Sequence, residues 1–320
     1  MDISIIIVNF NSEALIKECV SSIEKHSSGF EFEIIIVDNS YKKGAEKIFT
    51  SFSNRIRYVK SELNLGFGAA NNLGFKKATG RYFLVLNADT LFIENSILEC
   101  IKFFDSTKDL KAGVIGVKLL NEDGSFQPSF YPFLKHNLVR LLLTSNPLIY
   151  RLFSAEKYYK EKNKVTRVLD ISGAFMFMKK EVYQKVGGFD PEFFIYYEES
   201  EWCHLRISKY YNIYFVPQTQ VIHYGGGTSN NSNLHIQKKL SSLLYWRKKG
   251  VLNYIGYLVI EFINITTKLV LALFSRNYLI EAKKDLSVSI ALLNFMVFKL
   301  PFLYYKRNTP LAYPKLISDS

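Results

Sequence analysis

Two short apolar runs that end in carboxylates constrain this chain most. Phe32 to Asp38 closes as Ile34-Ile35-Ile36-Val37-Asp38-Asn39, and Tyr82 to Leu86 leads into Asn87-Ala88-Asp89. Such runs, apolar without alternation, read as strands buried on both faces, the situation of parallel strands in an α/β sheet. Open α/β sheets bind ligands beyond the carboxyl ends of their strands. The two carboxylates therefore predict a single crevice.

The rest of the first half supports that sheet. Ile3 to Phe10 reads as a strand, Ser12 to Lys25 as a helix capped by Ser12, and Phe32 to Asp38 as the next strand, a βαβ unit. The pattern repeats with Arg55 to Val59, a helix Gly68 to Ala78 closed by Gly80, and Arg81 to Leu86. A mostly parallel sheet flanked by helices follows from the alternation. Beyond a helix from Ile93 to Phe104, Gly113 to Leu120 reads as a further strand, and Asn121-Glu122-Asp123-Gly124 as a turn opening a hairpin. Residues 128–167 show no period and are assigned to a long excursion, a lid or acceptor-facing segment. Farther on, Ile171 to Met178 is apolar, Glu199 to Lys209 is a predicted helix with Glu201 in its first turn, and Ile213 to Val216 is a strand stopped by Pro217.

Composition narrows the class. A 320-residue chain that is 48% hydrophobic buries a substantial core and is not disordered. Cys19, Cys100 and Cys203 are scattered and odd in number, so neither a disulfide framework nor a zinc site is predicted, and a reducing compartment fits. The start, Met1-Asp2 followed directly by a strand, lacks the basic flank and cleavage site of a signal peptide, which leads us to expect a cytosolic active site.

Five features carry chemistry, each with a plainer alternative. Asp38 is placed to accept hydrogen bonds from a ribose or base, or is a turn residue. Asn64-Leu65-Gly66-Phe67-Gly68 opens a helix and lets backbone approach an anionic group, but it lacks a full G-x-G-x-x-G. Asp89 suits a hard divalent ion bridging phosphate oxygens, or caps the helix near Ile93. Among Glu198, Glu199 and Glu201, one partly desolvated carboxylate beside Tyr196 and Tyr197 is a candidate general base; the alternative is a solvated first turn. His223, before Tyr224 and three glycines, is a third metal ligand or a structural histidine.

Taken together, Ser4 to Asn11, Val37-Asp38-Asn39-Ser40, Asn64 to Gly68, Asn87-Ala88-Asp89, Gly173-Ala174-Phe175, Tyr197-Glu198-Glu199 and Val221 to Gly227 resemble the family two glycosyltransferases in order and spacing. Within that family the chain is most similar to bacterial rhamnosyltransferases of surface polysaccharide synthesis, over roughly residues 1 to 230. The resemblance implies the A-type glycosyltransferase fold, Rossmann-like, and inverting transfer of a sugar from a nucleotide diphosphate donor to a hydroxyl of a glycan or polyprenyl-linked saccharide. Rhamnose from dTDP-rhamnose is the sugar it suggests.

By position, Asn9, Asp38, Asn64, Gly66, Asn87 and Asp89 would bind the nucleotide-sugar. Asp89 and His223 would hold Mg2+ or Mn2+, Glu199 would be the catalytic base, and Gly173, Ala174, Phe175 and Glu198 would line the acceptor side. Two departures stand out: Asn87 replaces the first Asp of the family's D-x-D pattern, and Glu199 stands where Asp is commoner. The competing function is a catalytically silent nucleotide-sugar-binding or scaffold protein of the same fold. A nucleotidyltransferase ranks last, because Val8 to Ser12 holds neither glycine nor a basic residue.

These readings divide the chain into a catalytic domain at 1–234, with a nucleotide half 1–125 and an acceptor half 126–234, and a helical extension at 235–320. The extension holds 13 Lys and Arg against 4 Asp and Glu, a net +9 of the chain's +12. Its apolar runs, such as Val251 to Ile260 and Leu286 to Phe298, are each shorter than the roughly 20 residues of a spanning helix. Helices lying on an anionic leaflet are expected, which places the enzyme peripherally on the cytoplasmic face of the plasma membrane. Packing on the catalytic domain or forming a homodimer is the alternative. Nucleic acid is not expected as a partner, since apolar runs interrupt the basic residues.

Overall fold

The structure, a computed structural model, describes residues 1–41, 44–107, 111–131, 137–149, 162–225, 232–275, 277–278 and 280. The chain divides into two compact units, one of residues 1–131, 161–230 and 305–320, the other of residues 132–160 and 231–304.

The first unit is built on one mixed sheet. Its strands are β1 Ile3–Asn9, β2 Phe32–Asp38, β3 Ile56–Lys60, β4 Tyr82–Leu86, β5 Thr90–Phe92, β6 Ala112–Leu120, β7 Phe126–Gln127, β9 Thr166–Val168, β11 Phe175–Lys179 and β12 Asn212–His223; β8 Phe130–Tyr131 and β10 Asp170–Ile171 pair separately. The order is β3-β2-β1-β4-β11-β6-β12-β5, with β7 on β6 and β9 on β12. The strands β3, β2, β1 and β4 run parallel, as do β6 and β12, while β11 lies antiparallel between β4 and β6.

Helices cover both faces, which is why the strands are apolar throughout. Alternate residues of a strand point to opposite sides. Ile5, Ile7, Ile34, Ile36, Leu84 and Leu86 pack toward Ile16, Cys19, Val20 and Ile23 of α1 (Glu13–His26), and toward Ile97, Cys100 and Phe104 of the helix Ser96–Ser106. Ile6, Ile35, Val37, Phe83 and Val85 face the other way, toward Ala70 and Phe75 of the helix Phe67–Lys77 and toward Phe189 and Trp202. With α2 at Ala45–Thr50, these two helices are α3 and α4. Phe75 stacks on Phe83 at 5.6 Å and Phe189 lies 4.4 Å from Trp202; each such ring contributes about 1.5–3 kcal/mol by burial.

One of three local expectations holds and two change. The hairpin at Asn121 forms, since β7 pairs antiparallel with β6 and Gly124 takes φ +79°. Pro217, however, does not stop a strand: β12 runs through it, and a register shift between Val216 and Gln220 lifts the proline, which has no N–H to give, out of the ladder. Ser12 precedes α1 but makes no side-chain cap; its N–H donates to Asn9 Oδ1 instead.

After the short helices α5 (Leu138–Ser145) and α6 (Lys180–Val186), the expected helix at 199–209 is a composite, α7. It starts at Glu198–Glu201, widens into a π turn at Trp202–Arg206 and tightens to 3-10 at Ile207–Lys209. Within the predicted excursion 128–167, residues 132–136 and 150–161 lie outside the described residues. In the second unit α8 (Ser232–Lys248) and α9 (Val251–Ala272) pack on each other, and α9 packs on α5.

Candidate active site

The end of β2 carries a carboxylate whose acceptor capacity is already taken. Asp38, fully buried, accepts through Oδ1 from Asn9 Nδ2 at 2.9 Å, Ser40 N at 3.0 Å and Ser40 Oγ at 2.6 Å, and through Oδ2 from Tyr58 Oη at 2.6 Å and Lys60 Nζ at 2.9 Å. Burial alone would raise its pKa, but the Ser40, Tyr58 and Lys60 donors outweigh it and hold the carboxyl below the usual range. The same burial, with Asp38 beside it, pushes the Tyr58 phenol up. Lys60, also bonded to the Ser40 carbonyl, is the member of this cluster that reaches solvent. The sequence reading gave Asp38 a direct contact with the nucleotide; in the structure its oxygens are spent on protein donors, and Asn9 serves to hold it.

The Asn64–Phe67 loop ties this strand end to the segment before α7. Asn64 Oδ1 accepts from Gly66 N at 3.1 Å, Asn39 Nδ2 donates to Gly66 O at 2.9 Å, and Phe67 N donates to Phe194 O at 2.8 Å. Gly66 has φ +78°, and a Cβ there would stand 2.0 Å from Phe194 O, so only glycine fits. Asn72 forms a two-way amide pair with Phe189, 2.8 Å in each direction, and so is a packing residue.

Beyond β4, Asp89 and His223 meet. Asp89 immediately precedes β5, which pairs antiparallel with β12 so that Thr90 registers with His223. His223 Nε2 lies 3.3 Å from Asp89 Oδ1 and 3.1 Å from Asn87 Nδ2, while Gly225 N donates to Asp89 Oδ2 at 3.2 Å. The capping alternative for Asp89 falls away, because α4 is capped by Asn95, which accepts from Leu98 N.

Gln127, which sequence reasoning missed, orients the imidazole. Its Nε2 donates to Asn121 Oδ1 at 2.9 Å and to His223 O at 3.1 Å, so its carbonyl oxygen faces His223 Nδ1 at 2.6 Å and Nδ1 carries the hydrogen. Nε2 thereby faces the Asp89 carboxylate and the Asn87 amide. The signal was available: a hairpin turn at Asn121–Gly124 registers Gln127 with Leu119 of β6, next to β12.

The three glutamates of α7 separate by environment. Glu201 is bound by Arg206, with 2.7 Å from Nη2 to Oε2 and 3.0 Å from Nε to Oε1. Glu198 is buried, with Oε2 unpartnered; burial first, and the Glu199 charge second, push its carboxyl well above the usual range. Expected on the acceptor side, it is buried behind α3, where a Cβ on Gly68 would lie 3.5 Å from Glu198 Cβ. Glu199 is half-buried, and Gly173 N donates to its Oε1 at 3.3 Å. Tyr196 and Tyr197 precede the trio at φ +71° and +68°, consecutive left-handed residues of the kind that cluster at active sites.

The Gly173 segment connects the two halves. Gly173 N reaches Glu199, while Ala174 O accepts from Asn87 N at 3.2 Å and from Thr90 Oγ1 at 3.4 Å. Ala174 and Phe175 point into the sheet core, with Phe175 5.9 Å from Phe92. Expected to line the acceptor side, this segment links the two halves through its backbone, with Gly173 beside the Glu199 carboxylate.

The donor set at Asp89 and His223 fits a divalent ion. One carboxylate and one imidazole with a fixed tautomer supply two ligands on one side, which leaves coordination positions for diphosphate oxygens and water. No cluster of three His, Cys, Asp or Glu occurs among the described residues.

A sheet of this order, with a nucleotide-side βαβ half and a metal-type carboxylate at the end of β4, defines an A-type glycosyltransferase fold. The chain belongs to glycosyl transferase family 2, whose family model matches residues 4–187. A low-salt glycan biosynthesis hexosyltransferase of Haloferax volcanii is 30% identical over 66% of this chain and 64% of its own length. The rhamnosyltransferase WbbL of Escherichia coli is 24% identical over 79% of this chain and 92% of that protein. A Methanocaldococcus jannaschii glycosyltransferase is 28% identical over 52% of this chain and 61% of its own, so the chain spans less than two thirds of the Methanocaldococcus and Haloferax proteins. Among solved structures, a mannosyltransferase from Pyrobaculum calidifontis in complex with GDP-Man and Mn2+ superposes with TM-score 0.57 at 13% identity, over 93% of this chain and 88% of that one. GalNAc-T7 with UDP, GalNAc and Mn2+ gives TM-score 0.53 at 18% identity, over 77% and 48%.

Proposed function

We propose that residues 1–234 form a metal-dependent inverting hexosyltransferase. It moves a sugar, rhamnose from dTDP-rhamnose being the best candidate, from a nucleotide diphosphate donor to a hydroxyl of a glycan or lipid-linked saccharide in cell-surface polysaccharide synthesis. The carrying observation is the Gly173–Ala174 link, which fixes one half-buried glutamate and the Asn87–Asp89 strand end to consecutive peptide groups. Rhamnose rests on the likeness to WbbL alone.

In this reading Glu199 accepts the proton of the acceptor hydroxyl as that oxygen bonds to the anomeric carbon and the bond to the diphosphate breaks on the opposite face. Asp89 and His223 would hold a Mg2+ or Mn2+ ion, which when bound supplies positive charge to the leaving diphosphate. Asn87 presents its amide to the same place. Asp38 acts through Lys60 and Tyr58, holding a cation and a phenol at the nucleotide end of the sheet. Burial first and the neighbouring Glu199 charge second favour the protonated form of Glu198.

The site would work at the cytoplasmic face of the plasma membrane, with residues 235–320 as the membrane-associating extension. The test is calorimetric binding of thymidine-, uridine- and guanosine-diphosphate sugars, with and without Mn2+, to the chain and to Asp89→Ala. Metal-dependent binding of one donor, lost in Asp89→Ala, is expected. Absence of binding to every donor would overturn the transferase reading.

A further inference from the structure

In the second unit, α9 carries its polarity inside out. It is 22 residues long with mean hydropathy 1.6 over its most apolar window, long and apolar enough by composition to cross a membrane. Three of its polar residues, Glu261, Asn264 and Thr267, nevertheless face protein, while Thr266 is exposed and turns its hydroxyl back to the Phe262 carbonyl. Asn264 Nδ2 donates to Ser145 Oγ at 2.8 Å, Thr267 Oγ1 accepts from Asn146 Nδ2 at 3.0 Å, and Glu261 Oε2 lies 2.5 Å from Lys239 Nζ. Tyr257 and Ile260 are buried on the same side, and Gly256 admits Leu138, whose Cδ1 would lie 2.4 Å from a Cβ there.

The opposite side is apolar and open. Leu252, Ile255, Val259, Phe262, Val270 and Leu273 are all exposed, Leu252 at 84% and Phe262 at 72%. Spacings of three and four residues put Leu252, Ile255, Val259 and Phe262 on one stripe, which resumes two turns on, past Thr266, at Val270 and Leu273. A water-soluble helix arranges itself the other way round, and an apolar face of this kind needs a covering surface.

We propose that this stripe lies in the plane of an anionic lipid bilayer, its side chains among the acyl chains of one leaflet. Arg247 and Lys248 end α8 and Lys249 follows, immediately before Gly250 and Val251, so a basic cluster adjoins the amino end of the stripe, within a region of net +9. Anionic headgroups complement that charge, whereas a second copy of the chain would meet it with its own +9. In-plane immersion follows from the three polar contacts, which hold one whole side of α9 against α8 and α5 and away from lipid. The inference deepens the proposed function and rests on it for its purpose, bringing the Glu199 site to a lipid-linked acceptor; the docking itself rests on α9.

The test is flotation of the full chain with vesicles of phosphatidylcholine alone and of phosphatidylcholine with phosphatidylglycerol, beside the double variant Ile255→Glu/Phe262→Glu. Both positions are exposed, so the variant is expected to keep its circular dichroism and its donor binding. The parent chain is expected to float with phosphatidylglycerol vesicles and less so in high salt. The variant should lose roughly tenfold or more of that partitioning.

A parent chain that floats with neither vesicle overturns the proposal. So does a variant that floats like its parent, which would assign anchoring to residues 281–320. Conversion of a parent dimer to a monomer by the variant, without vesicle binding, would give the stripe to a second copy. Vesicle binding that behaves as stated in a chain that binds no donor sinks the transferase reading and leaves the docking intact.

Discussion

Gly173 donates its backbone N–H to Glu199 Oε1 at 3.3 Å, and a Cβ added to Gly173 would lie 2.5 Å from that same oxygen. The glycine both aims the carboxylate and leaves it room. Gly173→Ala is therefore expected to displace Glu199 by about an ångström and lower kcat roughly 10²-fold, since misplacement on that scale has that cost. Donor binding, measured by calorimetry beside initial rates, should be unchanged.

The two adjacent glutamates should behave oppositely. Glu199→Gln removes the proposed base and is expected to cut transfer by roughly 10²–10⁴ with donor affinity retained. Glu198→Gln replaces a buried neutral acid with a neutral amide of the same shape and should keep most of the rate. Single-turnover kinetics on both variants decide it, and a reversed pattern would move the base to Glu198.

Glu198 also carries a pH dependence. Its folded pKa is raised above the unfolded value of about 4.3, so the native state binds the extra proton and stability falls as pH rises above that value. Glu198→Gln removes this fall. Urea unfolding at about pH 5 and about pH 8 should show the variant gaining on the parent at the higher pH, where the parent bears the cost of a buried carboxyl.

Gln127 should matter to metal and not to fold. Gln127→Leu keeps the side-chain volume but frees His223 to rotate and change tautomer, and loss of such an orienting partner typically costs 10–100-fold in metal affinity. Manganese titration by electron paramagnetic resonance in the presence of a nucleoside diphosphate reads this without turnover. Unchanged affinity would remove His223 from the ligand set.

Much of the sheet was legible because each buried parallel strand is a continuous apolar run. The runs at Ile3, Phe32 and Tyr82 fall within a residue or so of β1, β2 and β4. Harder to see were places where a backbone group is satisfied off the regular ladder. At Pro217 the strand continues through a bulge whose Gln220 N–H and Thr219 hydroxyl bond to Glu94 Oε1 at 2.7 and 2.6 Å. At Trp202 a π turn widens α7, and nothing local in Trp202 to Arg206 announces it.

The sequence by itself determined the strand periodicity, the family resemblance and the list of carboxylates, since these depend on residue type and spacing along one chain. Tertiary structure decided what each carboxylate does. Asp38 is saturated because β3 places Tyr58 and Lys60 against β2, and the Glu198 carboxyl is pushed up because it is buried, while Glu199 meets Gly173 from a distant loop. Donor, acceptor and solvent access at a carboxylate are set by groups brought in from elsewhere in the chain. In α9 the same residues read as apolar runs too short to span, until packing turned Glu261, Asn264 and Thr267 inward and the apolar stripe outward. Helical spacing places residues on a face; only the neighbours against which a helix packs decide which face meets solvent.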